Sequence, residues 1–277
     1  MGSNNTLSTI PLKALIKEKH NILCVFTHLK QKPYQDKRFS IKNNTDSQIS
    51  DISFDHHIPV VPRIDQSEKA LQYIRELEPD LIVVSCFSTK LEADLLKIPK
   101  IGCFNLHPSL LPRHRGPDPL FWQFKDGSKN FGITLHRMEA SLDSGNIIKQ
   151  TKVNLPDGIS ITQANENLAI AGSHLITQLT QTLANNQELL EIPQEEAKST
   201  YQGFSSKNDY IVSDQWSAQR LFNFVKATHY RGNHYQIKLS EEWFTLKDVS
   251  FPQDFIDKKT QFLSINCNPG TLIGILA

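Results

Sequence analysis

Short apolar runs alternate with helical patterns along the first half of the chain. Four of these runs predict buried strands, at residues 21–27, 58–61, 80–85 and 102–106. Apolar residues at helical spacing predict helices between them, over residues 6–19, 67–77 and 90–97. This rhythm predicts an α/β fold built on an open, mostly parallel, Rossmann-like sheet with helices on both faces.

The pattern changes after residue 119. A helix is predicted over residues 119–126, followed by two alternating strands at 131–138 and 147–154. Ser160 and Gln163 form a capping box that opens a long helix. A further helix near 214–227 and short strands at 235–239 and 243–246 indicate a small β-rich C-terminal domain.

These elements predict a division of the chain into three parts. Residues 191–208 are polar, lack periodicity and are typical of a linker. We therefore expect a larger domain over residues 1–190, the linker over 191–208 and the small domain over 209–277.

Composition and charge exclude several classes of protein. The 277 residues carry 30 basic and 29 acidic side chains, so no overall field draws the protein to nucleic acid or to an anionic membrane. The four cysteines form no CxxC pair, which argues against a metal site, and we expect the three in apolar runs to be buried. The polar N-terminus and the lack of a run of about 20 apolar residues predict a cytoplasmic protein without membrane contact.

One stretch carries candidate chemistry. Asn105-Leu106-His107-Pro108 follows a predicted strand, and alternation along that strand places Asn105 and His107 on the same side. A histidine there is suited to general base catalysis, and the neighbouring carboxamide can donate a hydrogen bond to a developing oxyanion. Asp143, in a turn between two predicted strands, supplies a carboxylate that can orient the imidazole.

Three motifs together resemble a known superfamily. FNLHPSLLPRHRG, then GITLH, then LDSGNII are similar to the signature of the folate-dependent formyltransferases. The resemblance is strong over residues 80–155, fair over 7–190 and weak beyond 205. It implies that Asn105, His107 and Asp143 are catalytic, that 10-formyltetrahydrofolate is the co-substrate and that no metal takes part.

The resemblance also implies where the folate ring binds. In this family the ring lies between the loop that leads to the aspartate and the loop that follows an earlier strand. The cofactor-binding residues implied here are Cys86, Phe87, Ser88, Leu106, Leu111, Glu139, Ala140 and Leu142.

The acceptor amine stays open at this level. The layout leans to enzymes that resemble methionyl-tRNA formyltransferase, and a nucleotide-linked amino sugar is the alternative acceptor. Hydrolysis of 10-formyltetrahydrofolate and a non-enzymatic folate-binding module are two further alternatives. Arg113, His114 and Arg115 fit either an acceptor phosphate or a solvated loop, and the lysine-rich loop over residues 28–57 fits solvent better than RNA.

The chain departs from the family pattern at three places. No apolar segment precedes the first predicted helix, so we expect the family's first strand to be missing. The segment Asn268-Pro269-Gly270-Thr271 resembles a point midway through a C-terminal barrel, which predicts a short or incomplete barrel. Asp118 stands where initiator-tRNA enzymes of the family have a small residue.

His136 alternates with apolar residues on a predicted strand, and we expect it to be mainly structural.

Overall fold

A computed structural model describes residues 1–27, 49–62, 66–87, 89–255 and 260–277. Its first half follows the predicted β-α-β order, and the predicted α/β fold is confirmed. The helices in this half are α1 (Thr6–Lys17), α2 (Ile49–Asp55), α3 (Glu68–Glu76) and α4 (Ala93–Leu96). The strands are β1 (Val25–Thr27), β2 (Val60–Pro62), β3 (Leu81–Ser85) and β4 (Gly102–His107).

The parallel part of the sheet contains β2, β1, β3 and β4. β1 pairs with β2, and β3 pairs with β4, both in parallel. Gly2 forms parallel bridges to Thr27 of β1 and Ser85 of β3, and the amino group of Met1 donates to the carbonyl of Val83 at 2.6 Å. The first two residues therefore take the strand position between β1 and β3.

The second half adds two strands, β5 (Phe131–Arg137) and β6 (Ile147–Val153), to this sheet in the order β3-β4-β5-β6. β5 runs antiparallel to β4. The helix α5 (Pro119–Lys125) precedes them, and the long helix α6 (Ile161–Ala184) follows. α6 packs closely on the sheet, because a Cβ at Gly172 would come within 2.7 Å of Ile133 and 3.2 Å of Leu106.

Two compact units divide the described chain. The first contains Met1–Arg115, Gly132–Val153 and Asn165–Thr200, and its core includes buried side chains of β1, β3 and α3, among them Phe26, Ile74 and Val84. The predicted boundaries at 190 and 208 stay a prediction. Of the three cysteines expected to be buried, Cys103 is buried and Cys24 is half-buried, but the prediction is wrong for Cys86, which follows the end of β3 and is exposed.

The second unit contains Gly116–Phe131, Asn154–Ala164 and Tyr201–Ala277. Its five-stranded sheet has the order β10-β11-β9-β8-β7, with α7 (Ala218–Thr228) packed on it. The strands are β7 (Ile211–Val212), β8 (Tyr235–Leu239), β9 (Glu242–Ser250), β10 (Phe262–Asn266) and β11 (Thr271–Leu276). Its core is aromatic, with the rings of Phe121 and Phe224 5.3 Å apart and those of Tyr210 and Tyr235 5.8 Å apart. The predicted β-rich C-terminal part is thus confirmed.

Two findings concern what the described part of the chain lacks. None of its helices is long and apolar enough to cross a bilayer. Within the same residues, no group of three or more His, Cys, Asp or Glu side chains is placed to hold a metal ion. Ser88 and the lysine-rich segment 28–48 lie outside the described residues.

Candidate active site at the carboxyl end of β4

β4 brings the predicted polar residues to the edge of the parallel sheet. Its register pairs Asn105 with Val84 of β3 on one side and with His136 of β5 on the other. Asn105 and His107 lie on one face of β4, because successive side chains alternate along a strand. Leu106 points to the opposite face, where it lies against Gly172 of α6.

The loop after β4 is fixed by Thr134, a fully buried residue of β5. Its hydroxyl donates to the carbonyl of Ser109 at 2.6 Å and accepts from the backbone amide of Leu111 at 3.2 Å. The amide group of Gln150 donates to both Thr134 Oγ1 and the carbonyl of Leu111. These hydrogen bonds fix the loop, and they therefore hold the side chain of His107, the last residue of β4, in one orientation.

His107 is buried, with 4% of the residue exposed. Its Nε2 lies 2.8 Å from the carbonyl oxygen of His114, and its Nδ1 lies 3.5 Å from Oδ1 of Asp143. Burial lowers the pKa of His107, and the nearby charge of Asp143 acts in the opposite direction. The imidazole is therefore neutral at pH 7.

The partners of His107 determine its tautomer. A carbonyl oxygen only accepts hydrogen bonds, so Nε2 carries the proton and donates it to His114. Nδ1 then holds a lone pair, and it faces the Asp143 carboxylate without a hydrogen bond between them. A proton that arrives at Nδ1 would create an ion pair with Asp143, so this nitrogen is placed to act as a base.

Asn105 completes the cluster. Its Nδ2 lies 3.1 Å from Nε2 of His136 and 3.4 Å from Oδ1 of Asp143. The Nδ1 of His136 lies 2.8 Å from the carbonyl of Arg137, so His136 donates there and accepts from Asn105 at Nε2. The structure thus brings Asn105, His107 and Asp143 together. It adds His136, which lies beside Asn105 and Asp143 and edge-on to the ring of His107, with the ring centroids 6.4 Å apart.

The loop of Asp143 has an unusual backbone. Asp143 has φ +53°, in the left-handed region that few residues other than glycine adopt. Gly145 is packed so closely that a Cβ there would lie 2.0 Å from the carbonyl of Arg137. The glycine in the motif Leu142-Asp143-Ser144-Gly145 is therefore required by this close approach.

The residues implied in folate binding fall into two groups. Cys86 and Phe87 follow β3 at the same edge of the sheet as His107, and Glu139, Ala140 and Leu142 are exposed beside Asp143, with Leu142 45% exposed. Their role in folate binding stays a prediction. Leu106 and Leu111 are buried at 1% and 3% exposure.

A cavity of about 480 Å³ lies elsewhere in the first unit. It is lined by residues around β1 and β3, such as Met1, Cys24, Phe26 and Ile82, and by none of Asn105, His107 or Asp143. The lining includes His20, Asn21 and Asp80, but no hydrogen bond or ion pair in the described part of the chain joins these three side chains to one another, unlike those at β4. We therefore place the candidate active site at the cluster rather than at the cavity.

In the basic cluster of Arg113, His114 and Arg115, the side chain of Arg115 points into the protein. Arg115 is buried, with 8% exposed, and binds Glu196 and Gln194. Its guanidinium is therefore not presented to an acceptor phosphate. Gln194 also donates to the carbonyl of Asp143 at 2.8 Å, 51 positions earlier in the chain. Sequence reasoning missed Gln194, because the motifs around Asn105 and Asp143 contain no sign of contacts with so distant a residue.

In the second unit, Asp118 has a partner. Its carboxylate accepts from Nη1 and Nη2 of Arg231 at 2.7 Å and 2.8 Å. The hydroxyl of Ser205 donates to the same carboxylate at 3.0 Å. The carboxylate at this position is thus part of a bidentate ion pair.

Comparison with known proteins gives a consistent result. The family model described as formyl transferase matches residues 1–180. Methionyl-tRNA formyltransferase of Rickettsia bellii is 30% identical over 269 residues, which is 95% of this chain and 85% of that protein. The bifunctional polymyxin resistance protein ArnA of Wigglesworthia glossinidia brevipalpis is 31% identical over 79% of this chain, which spans 32% of that protein's length.

A solved structure is similar in fold over almost the whole chain. It is an N-formyltransferase from Helicobacter canadensis, in complex with folinic acid and dTDP-3-aminofucose. The TM-score is 0.70 at 18% sequence identity, and the match covers 99% of this chain and 97% of the other. At this identity the match describes the fold.

Proposed function

Because this chain belongs to the formyl transferase family, we propose that it is an N-formyltransferase with Asn105, His107 and Asp143 as its catalytic residues. It transfers a formyl group from 10-formyltetrahydrofolate to an amine. The observation that carries the assignment of residues is the buried His107, whose Nδ1 faces the Asp143 carboxylate beside the Asn105 amide. A cytoplasmic location stays a prediction.

His107 and Asp143 remove the proton that the acceptor amine loses in the reaction. The acceptor nitrogen forms a bond to the formyl carbon and must lose a proton. His107 takes that proton at Nδ1, where Asp143 stabilises the imidazolium. General base catalysis of this kind contributes about 10²–10⁴ in rate. His107 returns the proton to the folate nitrogen as its bond to the formyl carbon breaks.

Asn105 handles the charge that develops on the formyl oxygen. Its Nδ2 donates to His136 at 3.1 Å and to Asp143 at the longer distance of 3.4 Å. The longer hydrogen bond is the weaker one, so the proton directed at Asp143 is the one available to the oxyanion. Loss of such a donor costs about 10²–10³ in kcat.

Methionyl-tRNA is the first proposed acceptor. This proposal is supported by the Rickettsia bellii relative, which matches 95% of the chain at 30% identity, and by the long polar segment of the predicted layout. The near-zero net charge is compatible with it only if a local basic surface binds the RNA.

A nucleotide-linked amino sugar is the second proposed acceptor. It is supported by the fold of the Helicobacter canadensis enzyme, which matches 99% of this chain and therefore includes the five-stranded C-terminal sheet. That enzyme was solved with dTDP-3-aminofucose.

A transfer assay with both acceptors tests the proposal. The protein would be incubated with isotopically labelled 10-formyltetrahydrofolate and either initiator methionyl-tRNA or dTDP-3-aminofucose, and the label would be followed by mass spectrometry. Label on either acceptor supports formyl transfer and identifies the acceptor. Label recovered only as formate, at the same rate without any amine, would show a hydrolase instead.

Matched variants connect the assay to the site. His107→Ala and Asn105→Ala are each expected to lower kcat by at least about 10²-fold. Lys238→Gln, an exposed change in β8, serves as the control and is expected to keep wild-type kcat. Wild-type turnover in His107→Ala would remove the assignment of the base.

A further inference from the structure

Residues 191–200 fold back onto the loop that carries Asp143. Ile192 exchanges two backbone hydrogen bonds with Ile147 at the start of β6, at 2.8 Å and 2.9 Å. Beside them the Glu191 carboxylate accepts from Nε of Arg137 at 2.9 Å, and this hydrogen bond lowers the pKa of Glu191. The segment is therefore fixed to the strands on both sides of the loop.

Gln194 reaches the loop itself. Its Nε2 donates to the carbonyl of Asp143 and to the carbonyl of Gly145, each at 2.8 Å. Its Oε1 accepts from Arg115 Nη2 at 2.8 Å and from Nε at 3.2 Å. A carboxamide is the side chain that can donate twice to carbonyls and accept twice from a guanidinium at the same place.

Arg115 connects Gln194 to the loop after β4. Its guanidinium also donates to Glu196, at 2.6 Å and 3.0 Å. This ion pair lowers the pKa of Glu196. Because Arg115 is buried and bound to two side chains of the same segment, it gives Gln194 a fixed support.

Thr200 fixes the other partner of His107. Its hydroxyl accepts from the backbone amide of His114 at 2.8 Å, and its carbonyl accepts from the amide of Arg115 at 2.9 Å. The carbonyl of His114 is the group that accepts from His107 Nε2. One segment thus holds the groups that face both nitrogens of the imidazole.

We propose that Gln194 is a positioning residue, which ties the Asp143 loop to Arg115 and so sets the distance between the Asp143 carboxylate and Nδ1 of His107. The inference rests on the proposed function, because it assumes that this pair handles the proton. Gln194 contacts the carbonyl of Asp143, whose backbone is left-handed with φ +53°, so this hydrogen bond acts directly on the conformation of the loop.

Two substitutions separate positioning from simple folding of the segment. Gln194→Leu removes all four hydrogen bonds. Gln194→Glu keeps the size and strengthens the contact with Arg115, but it directs carboxylate oxygens at the carbonyls of Asp143 and Gly145. The second variant is therefore expected to keep the segment attached to Arg115 while the Asp143 loop is displaced. Glu195→Gln, whose residue is exposed and pairs with Lys198, is the control in the same segment.

The expected result is a loss in kcat without a matching loss in binding. In both variants kcat should fall about 10–100-fold, while KM for the formyl donor changes less than about threefold, since a small misplacement acts on the transition state. In Gln194→Leu, which adds no charge, the acid limb of the pH profile should move to lower pH, because the Asp143 charge that raises the pKa of His107 is no longer held beside it. Glu195→Gln should match the wild type.

A second readout does not depend on turnover. The imidazole of His107 can be titrated by ¹⁵N NMR, and its pKa should be lower in Gln194→Leu, which adds no charge, than in the wild type. An unchanged His107 titration in a folded Gln194→Leu protein would overturn the positioning role. If the wild type transferred no formyl group to either acceptor, the proposed function would fail, and the titration would still decide the role of Gln194.

Discussion

His136 Nε2 lies 3.1 Å from Nδ2 of Asn105, directly across the antiparallel pair of β4 and β5. The contact follows from the register, because side chains of directly opposed residues on neighbouring strands lie close together. His136 is 1% exposed and donates from Nδ1 to the carbonyl of Arg137, so its Nε2 can only accept. It therefore fixes which way the Asn105 amide is turned.

Removal of this acceptor should impair the use of Asn105. His136→Phe retains an aromatic ring but lacks Nε2, and we expect kcat to fall about tenfold, equivalent to one hydrogen bond of about 1.4 kcal/mol. KM for the formyl donor should change little, and steady-state kinetics would measure both. His136→Gln restores an acceptor and is expected to recover part of the loss. A kcat in His136→Phe equal to that of the wild type would contradict this role.

Burial of His107 should make stability depend on pH. Its pKa is lower in the folded protein than the value of about 6.5 for an exposed histidine, so the unfolded chain binds more protons below that pH. This contribution to stability is complete above pH 6.5 and is lost as the pH falls below it.

A comparison with His107→Gln isolates that contribution. The free energy of unfolding would be measured by denaturant titration of both proteins between pH 8 and pH 5. The wild type should lose stability relative to the variant as the pH decreases from about 6.5. If the stability difference between the two proteins stayed constant over this range, His107 would bind protons equally in the folded and unfolded states. That result would contradict the expected effect of burial.

The fold was largely accessible from the sequence. The apolar runs at β3 and β4 are short and bounded by polar residues, and the capping box of Ser160 and Gln163 is present at the start of α6, where Gln163 N donates to Ser160 Oγ at 3.2 Å. Such signals are local, so a pattern along the chain contains them. The β-rich C-terminal part was recognised for the same reason.

The site was only partly accessible. Asn105, His107 and Asp143 lie in motifs, but the contacts of His136 and Gln194 are with residues 31 to 79 positions away. The sequence predicts a mainly structural His136, and this stays a prediction, because alternation on a strand looks the same for a core residue and for one that orients Asn105. Gln194 lies in a polar segment without periodicity, where nothing local distinguishes a fixed amide from a solvated one.

A methyl group at Gly145 should displace the Asp143 loop. In Gly145→Ala the new Cβ would lie 2.0 Å from the carbonyl of Arg137, which is backbone and cannot move aside cheaply. We expect a loss of about 1–3 kcal/mol in the free energy of unfolding and a kcat reduced at least about tenfold. Gly203→Ala is the matched control, because a Cβ there meets nothing within 4 Å. Equal stability of the two variants would refute the required close approach.

The ion pair of Asp118 and Arg231 should stabilise the second unit. Both side chains are mostly buried, with 16% and 21% exposed, and the pair is bidentate. Removal of either partner leaves the other charge without its bidentate partner, so Asp118→Asn and Arg231→Gln should each cost about 1.5–3 kcal/mol in the free energy of unfolding.

A double-mutant cycle would measure the pair itself. Because the second substitution removes a partner that is already lost, the double variant should be more stable than the sum of the two single changes predicts. The exposed pair of Lys238 and Glu241 provides the control, and Glu241→Gln should change stability by less than about 1 kcal/mol. Additive effects in the Asp118 and Arg231 cycle would contradict a stabilising interaction between the two side chains.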